Sequence, residues 1–139
     1  MTAATAPAWR LPAMWGAAVG VLQAATPLAF FWLSAETVYA LGLAVIAAIY
    51  IGFAVADGRP HVIAVETVVA SVFVVVAAVA VPASAWVVVA GLVGHGLKDL
   101  WQHRTQFVAG TRWWPPFCAA VDFVAAGLVA VVLVADLPL

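Results

Sequence analysis

The sequence predicts an all-α integral membrane protein: a compact bundle of about five transmembrane helices, with the N-terminus cytoplasmic and the C-terminus outside. Three observations carry this expectation. The 139 residues are 68% hydrophobic and only 8% charged, with a mean hydropathy of +1.18, whereas about a quarter of the residues in soluble domains are charged. The apolar runs are continuous and rich in Ala, Val and Leu, unlike the alternating segments of about ten residues that build a membrane barrel. All five Lys and Arg residues fall near one set of helix ends, the bias that marks the cytoplasmic side.

Crossing a hydrocarbon core of ~30 Å takes about 20 apolar residues, so a chain of 139 accommodates five crossings in one domain, residues 1–139, without a soluble module. The first span, 11–33, follows Arg10; Pro12 suits a first helical turn and Pro27 introduces a kink. Leu33-Ser34-Ala35 faintly resembles a cleavage site, but the apolar run exceeds the ~7–15 residues of a signal core, so it reads as a retained helix. The second span, 36–56, ends before Asp57-Gly58-Arg59-Pro60, a run of turn formers. The third covers 61–81 and stops at Pro82-Ala83. The fourth, 84–103, closes on the stretch GHGLKDLWQHR, which gathers two histidines, an aspartate, a lysine and an arginine. The fifth, 115–135, opens at Pro115-Pro116 after Arg112-Trp113-Trp114, since proline favours the first helical positions.

Five crossings place the N-terminus, the 57–60 turn and the 104–114 loop on one side, with Arg10, Arg59, Arg104 and Arg112, and with Lys98 near the same end of its helix. The opposite turns and the C-terminal tail hold no Lys or Arg. Trp9, Trp15, Trp101, Trp113 and Trp114 fall near the inner interface and Trp32 and Trp86 near the outer one, as interfacial tryptophans do. The expected location is the cell membrane, as a multi-pass protein.

That orientation assigns each ionisable group a depth. His61 stands at a helix mouth, with Glu66 about 7 Å deeper. Asp122 lies about 10 Å in. On the fourth span, Asp99 is about 6 Å and His95 about 12 Å deeper than His103. Positions four apart rotate by only about 40°, so His95, Asp99 and His103 read as one stripe, while Lys98 and Trp101 point elsewhere and Lys98 reaches back to the interface. Gly91, Gly94 and Gly96 offer a close-approach surface to a neighbouring helix, which turns the stripe inward. Ionisable groups within a membrane are functional sites by default, so Glu66, His95, Asp99 and Asp122 are the candidate catalytic residues. Tyr50, His61, Trp101, Trp114 and Cys118 are candidate pocket residues. Cys118, the single cysteine, cannot form an internal disulfide.

Two chemistries suit this set. Imidazole and carboxylates at i, i+4 and i+8 can ligate a divalent metal through His95, Asp99 and His103, completed by Glu66 or Asp122 from neighbouring helices. Without a metal, a carboxyl held in apolar surroundings can serve as a general acid and a second carboxylate or a histidine as base. The resulting expectation is a small intramembrane enzyme, an isomerase, cyclase, lyase or hydrolase, acting on a lipid or isoprenoid-like substrate in a polar pocket open to the cytoplasmic side. The alternatives are a small proton-coupled transporter using Glu66 or Asp122, a haem subunit with axial His61 and His95, and a scaffold without chemistry. Expected partners are membrane lipids, a hydrophobic small molecule and further copies of the chain. With net charge -1 and no basic patch interleaved with aromatics, nucleic acid is not an expected partner.

Overall fold

A computed structural model describes residues 8–137. Within them the chain is all-helical: α1 Arg10–Ala24, α2 Thr26–Ala29, α3 Ala35–Asp57, α4 Pro60–Ala83, α5 Ala85–Thr105 and α6 Trp114–Val134. Three of these, α3, α4 and α6, are long and apolar enough to cross a membrane. α5 has 21 residues, but the polar groups of its second half dilute its apolar character. The chain is a helical membrane protein by a second criterion, the inversion of its polarity. Leu11, Met14, Val45, Val68 and Val131 are exposed, whereas Glu66, His95, Asp99, Gln102 and Asp122 are buried. Exposed apolar surface on this scale marks a protein whose solvent is lipid.

Helix ends follow local chemistry. Ser34 caps α3 by accepting the Thr37 N–H. Gly58, at φ 80°, ends α3 in the left-handed region, where glycine carries no steric penalty. Ser84 alone separates α4 from α5 and caps α5 by accepting the Trp86 N–H. Pro60 and Pro115 sit in the first turns of α4 and α6, where their missing N–H costs nothing. The expected single span over 11–33 is divided: α1 stops at Ala24, and Pro27 lies in the first turn of the separate α2. Thr26 Oγ1 donates to the Gln23 carbonyl and Tyr39 Oη to the Ala24 carbonyl, satisfying oxygens that the broken helix leaves open.

α3, α4 and α5 pack mutually; α6 lies against α5 and α1 against α6. The α1–α6 seam depends on Gly16 and Gly20. A Cβ on Gly16 would collide with the Phe117 carbonyl, and one on Gly20 would stand 2.8 Å from the Val121 carbonyl oxygen. This Gly-x-x-x-Gly pair lets the two backbones touch. On α5, Gly91 makes room for Leu43 of α3, at 2.5 Å from a built Cβ, and Gly96 for the Phe123 ring of α6, at 2.9 Å. The core comes in two pieces. The larger, around Leu43, Ala80, Val88, Ala125 and Val129, fills the half of the bundle where α5 begins. The smaller, made of Tyr50, Ala54, Val62, Val108 and Cys118, closes the opposite end. The buried polar residues lie between them.

Candidate functional site

Five helix-borne side chains come from three directions. Glu66 is six residues into α4, Asp122 eight into α6, and His95, Lys98 and Asp99 lie on the second half of α5. At ~1.5 Å per residue, all fall about 9–15 Å from the end of the bundle shared by the 57–60 and 106–113 connections. His95 Nδ1 and Asp122 Oδ2 share a hydrogen bond of 2.7 Å, and the same nitrogen is 3.4 Å from Asp99 Oδ2. One suitable ligand atom from each of His95, Asp99 and Asp122 lies within 4.8 Å of the others. The Phe73 ring stands edge-on to the imidazole at 4.9 Å, which fixes its plane.

Beside this triad, Lys98 Nζ donates to Glu66 Oε2 at 2.7 Å and lies 3.2 Å from the centre of the Tyr50 ring. The lysine therefore turns into the bundle and does not reach back to the interface. Its position is one step around the helix from Asp99, and its four-carbon stem spans the gap to α4. Tyr50, expected to line a pocket, is buried at the heart of this group, with a hydroxyl that has no hydrogen-bond partner. Among the described residues, the other buried side-chain polar atoms without a partner are Glu66 Oε1, both Asp99 oxygens, Asp122 Oδ1 and both amide atoms of Gln102.

Gln102 went unnoticed in the sequence, yet the signal was there. The buried face of α5 runs Val88, Leu92, His95, Asp99, Gln102, with steps of 4, 3, 4 and 3. Alternating steps hold a seam on one face, whereas successive steps of four drift by about 40° each. His103 is carried off the seam by that drift and is exposed. The expected stripe of His95, Asp99 and His103 is thus corrected: Asp122 from α6 joins the first two, and Gln102 continues the face.

The expected pocket open to one end is instead an enclosed cluster. Glu66, His95, Asp99, Gln102 and Asp122 are each 1% exposed or less, and Lys98 is the most accessible member, with 11% of its side chain exposed. Gly94, one turn before Lys98 on α5, faces the Phe73 ring at ordinary contact distance, 3.7 Å from a built Cβ. Recesses of about 290 and 420 Å³ lie elsewhere: one by Gln23, Thr26 and Gly42, the other between α1, α5 and α6 by Trp9, His103 and Arg104.

Three other candidates form an aromatic collar at the end of the bundle. His61 and Trp101 are exposed and flank Phe107 at 6.3 and 5.4 Å, and Trp114 lies 5.2 Å from Phe53. Being exposed, His61 does not meet the enclosed His95. Cys118 is buried among the apolar residues below the cluster. At the same end, Asp57 does more than shape a turn. Its carboxylate accepts two guanidinium bonds from Arg59, each 2.6 Å, and the Ala109 N–H at 2.7 Å, while Arg59 donates to the Phe107 carbonyl. The hydrogen-bonded carboxylate of Asp57 holds the Arg59 guanidinium above its ordinary pKa range. This clasp ties the α3–α4 connection to the α5–α6 loop, and so fixes the segment that covers the cluster.

No protein-family model matches the chain, and neither the curated proteins nor the solved structures compared with it yield a match.

Proposed function

We propose that this protein is a small intramembrane enzyme that performs acid–base chemistry on a lipid-soluble substrate entering from the cytoplasmic leaflet. The observation that carries the reading is His95 held at 2.7 Å by Asp122 with Asp99 at 3.4 Å, all at 1% exposure or less. A histidine oriented by a carboxylate is the usual form of a positioned general base. In this reading His95 takes and returns the proton, Asp122 sets its ring, and Glu66 with Lys98 forms a second proton-handling pair under Tyr50. In this reading the substrate reaches the cluster from the side of Lys98, its most accessible member, with 11% of its side chain exposed.

The membrane placement belongs to the same proposal. α1 and α2 together run from residue 10 to 29, about 30 Å of helix, enough for one crossing; with α3 to α6 the chain makes five. Arg10, Arg59, Arg104 and Arg112 gather at the end nearer the cluster, and the opposite connections have no Lys or Arg among the described residues, which supports N-in and C-out.

The test compares membrane lipid and isoprenoid profiles from cells carrying wild type, His95→Ala, Asp122→Asn, Asp99→Ala and Glu66→Ala. Accumulation of one hydrophobic species in the variants is expected. Profiles identical to wild type, with the variants folded and inserted, would refute the enzyme. A carrier is favoured by one feature, the apolar layers closing the cluster at both ends. It requires proton-dependent flux in vesicles that Glu66→Gln or Asp122→Asn abolishes.

A further inference from the structure

Charge balance within the buried cluster points beyond bare acid–base chemistry. Three carboxylates, Glu66, Asp99 and Asp122, face one ammonium, Lys98, and a histidine. The pairing of Glu66 with Lys98 leaves Asp99 and Asp122 beside a single imidazole. Charges buried without partners are strongly disfavoured, and both oxygens of Asp99, which is 0% exposed, make no hydrogen bond although one is 3.4 Å from the imidazole nitrogen. We propose that His95, Asp99 and Asp122 form a binding site for a first-row divalent transition metal ion.

The donor set fits such an ion. Metal–nitrogen and metal–oxygen bonds of ~2.0–2.2 Å in a tetrahedral site hold ligand atoms about 3.3–3.6 Å apart. The observed separations from His95 Nδ1 are 2.7 and 3.4 Å, and all three ligand atoms lie within 4.8 Å of one another, so capture needs shifts of about 1.5 Å or less. It exchanges the His95–Asp122 hydrogen bond for metal–ligand bonds. A divalent charge cancels the two carboxylates that Lys98 does not reach. One imidazole with two carboxylates selects zinc, manganese or iron over magnesium and calcium, which prefer all-oxygen shells. Three protein ligands leave a coordination position open, the arrangement of catalytic and not of closed structural sites. Gln102, buried one turn beyond Asp99 with its amide unpartnered, is placed to support an Asp99 oxygen or a metal-bound water.

This inference concerns the same cluster as the proposed enzyme, and its readout is separate from activity. The full chain, purified in detergent through an affinity tag free of histidine, is analysed for bound metal. It is then stripped with chelator and titrated with Zn²⁺, Mn²⁺ and, as a spectroscopic probe, Co²⁺. We expect one ion per chain, with d–d absorption of the Co²⁺ form showing nitrogen and oxygen ligation. Asp99→Asn should weaken binding by more than the ~10–100-fold typical of residues outside the coordination shell, and His103→Ala should bind as wild type. Because the Asp99 carboxylate makes no hydrogen bond and meets His95 only at 3.4 Å, Asp99→Asn remains interpretable even if Asp122→Asn proves unstable. Protein that takes up none of the three ions, or Asp99→Asn that binds undiminished, overturns the site. A metal-free protein whose His95→Ala variant still alters the lipid profile would sink the metal and spare the enzyme. A bound metal with unchanged lipids would do the reverse.

Discussion

Replacing Lys98 and Glu66 by methionine, singly and together, measures how tightly the cluster is built. Glu66 is 1% exposed and its only hydrogen bond is from Lys98 at 2.7 Å. Removing one partner of a buried pair costs about 3–5 kcal/mol. Lys98→Met also removes a cation from the Tyr50 ring, an interaction worth about 2 kcal/mol when desolvated. The loss for Lys98→Met is therefore at least about 3 kcal/mol. Glu66→Met should cost less, about 1–2 kcal/mol, because the freed ammonium is already 11% exposed and its stem lets it swing to the surface. The double variant leaves neither member of this pair buried without its partner and should lie near wild type, since apolar replacement of a buried pair is often neutral. Reversible unfolding in mixed micelles, followed by far-UV circular dichroism, gives all four stabilities. A coupling energy no larger than the ~0.6 kcal/mol average for polar contacts between membrane helices, or Glu66→Met costing more than Lys98→Met, would refute the geometry and the asymmetry argued from it.

Two further outcomes are expected. Gly20→Val should destabilise the α1–α6 seam by about 1–3 kcal/mol, the cost of overpacking, because its Cβ would stand 2.8 Å from the Val121 oxygen and 2.9 Å from Val124 Cβ. Gly127→Ala, which meets open space, should leave the thermal melt unchanged, and equal melts for both would show that α1 does not pack as described. Asp57→Asn should speed hydrogen exchange of the Ala109 amide by about tenfold or more, the scale of losing one charge-assisted hydrogen bond, while unaltered exchange would mean that the clasp does not hold the loop.

Much of this arrangement was legible in the sequence, and the misses have physical reasons. α3, α4, α5 and α6 begin and end within two residues of the apolar runs, because Gly58-Arg59-Pro60, Ser84 and Pro115-Pro116 punctuate the chain unmistakably. The break at Ala25 was not legible: Pro27 is compatible both with a kink inside one helix and with the first turn of a new one. The inward positions of Glu66, His95, Asp99 and Asp122 followed from the cost of charge in lipid. The direction of Lys98 did not, since a flexible stem goes where its partner is, and Glu66 and Tyr50 sit on other helices. His103 was misplaced by extending a four-residue step one turn too far, and Gln102 was missed by the same step. Gly16 and Gly20 carry no polar or charged signal, so the sequence alone does not single out their backbone contact with α6.

The seam between α1 and α6 joins the first long helix to the last. Roughly a hundred residues separate Gly20 from Val124, so at ~5–20 residues per second a ribosome delivers the partner about 5–20 s after the glycine face has emerged. Throughout that interval the smoothest surface of α1 stays uncovered, able to pair with whatever helix drifts past, including α1 of a neighbouring nascent chain. Biogenesis thus carries a waiting period that the finished bundle conceals, and a chain interrupted anywhere before α6 leaves a glycine-faced helix whose intended partner never arrives.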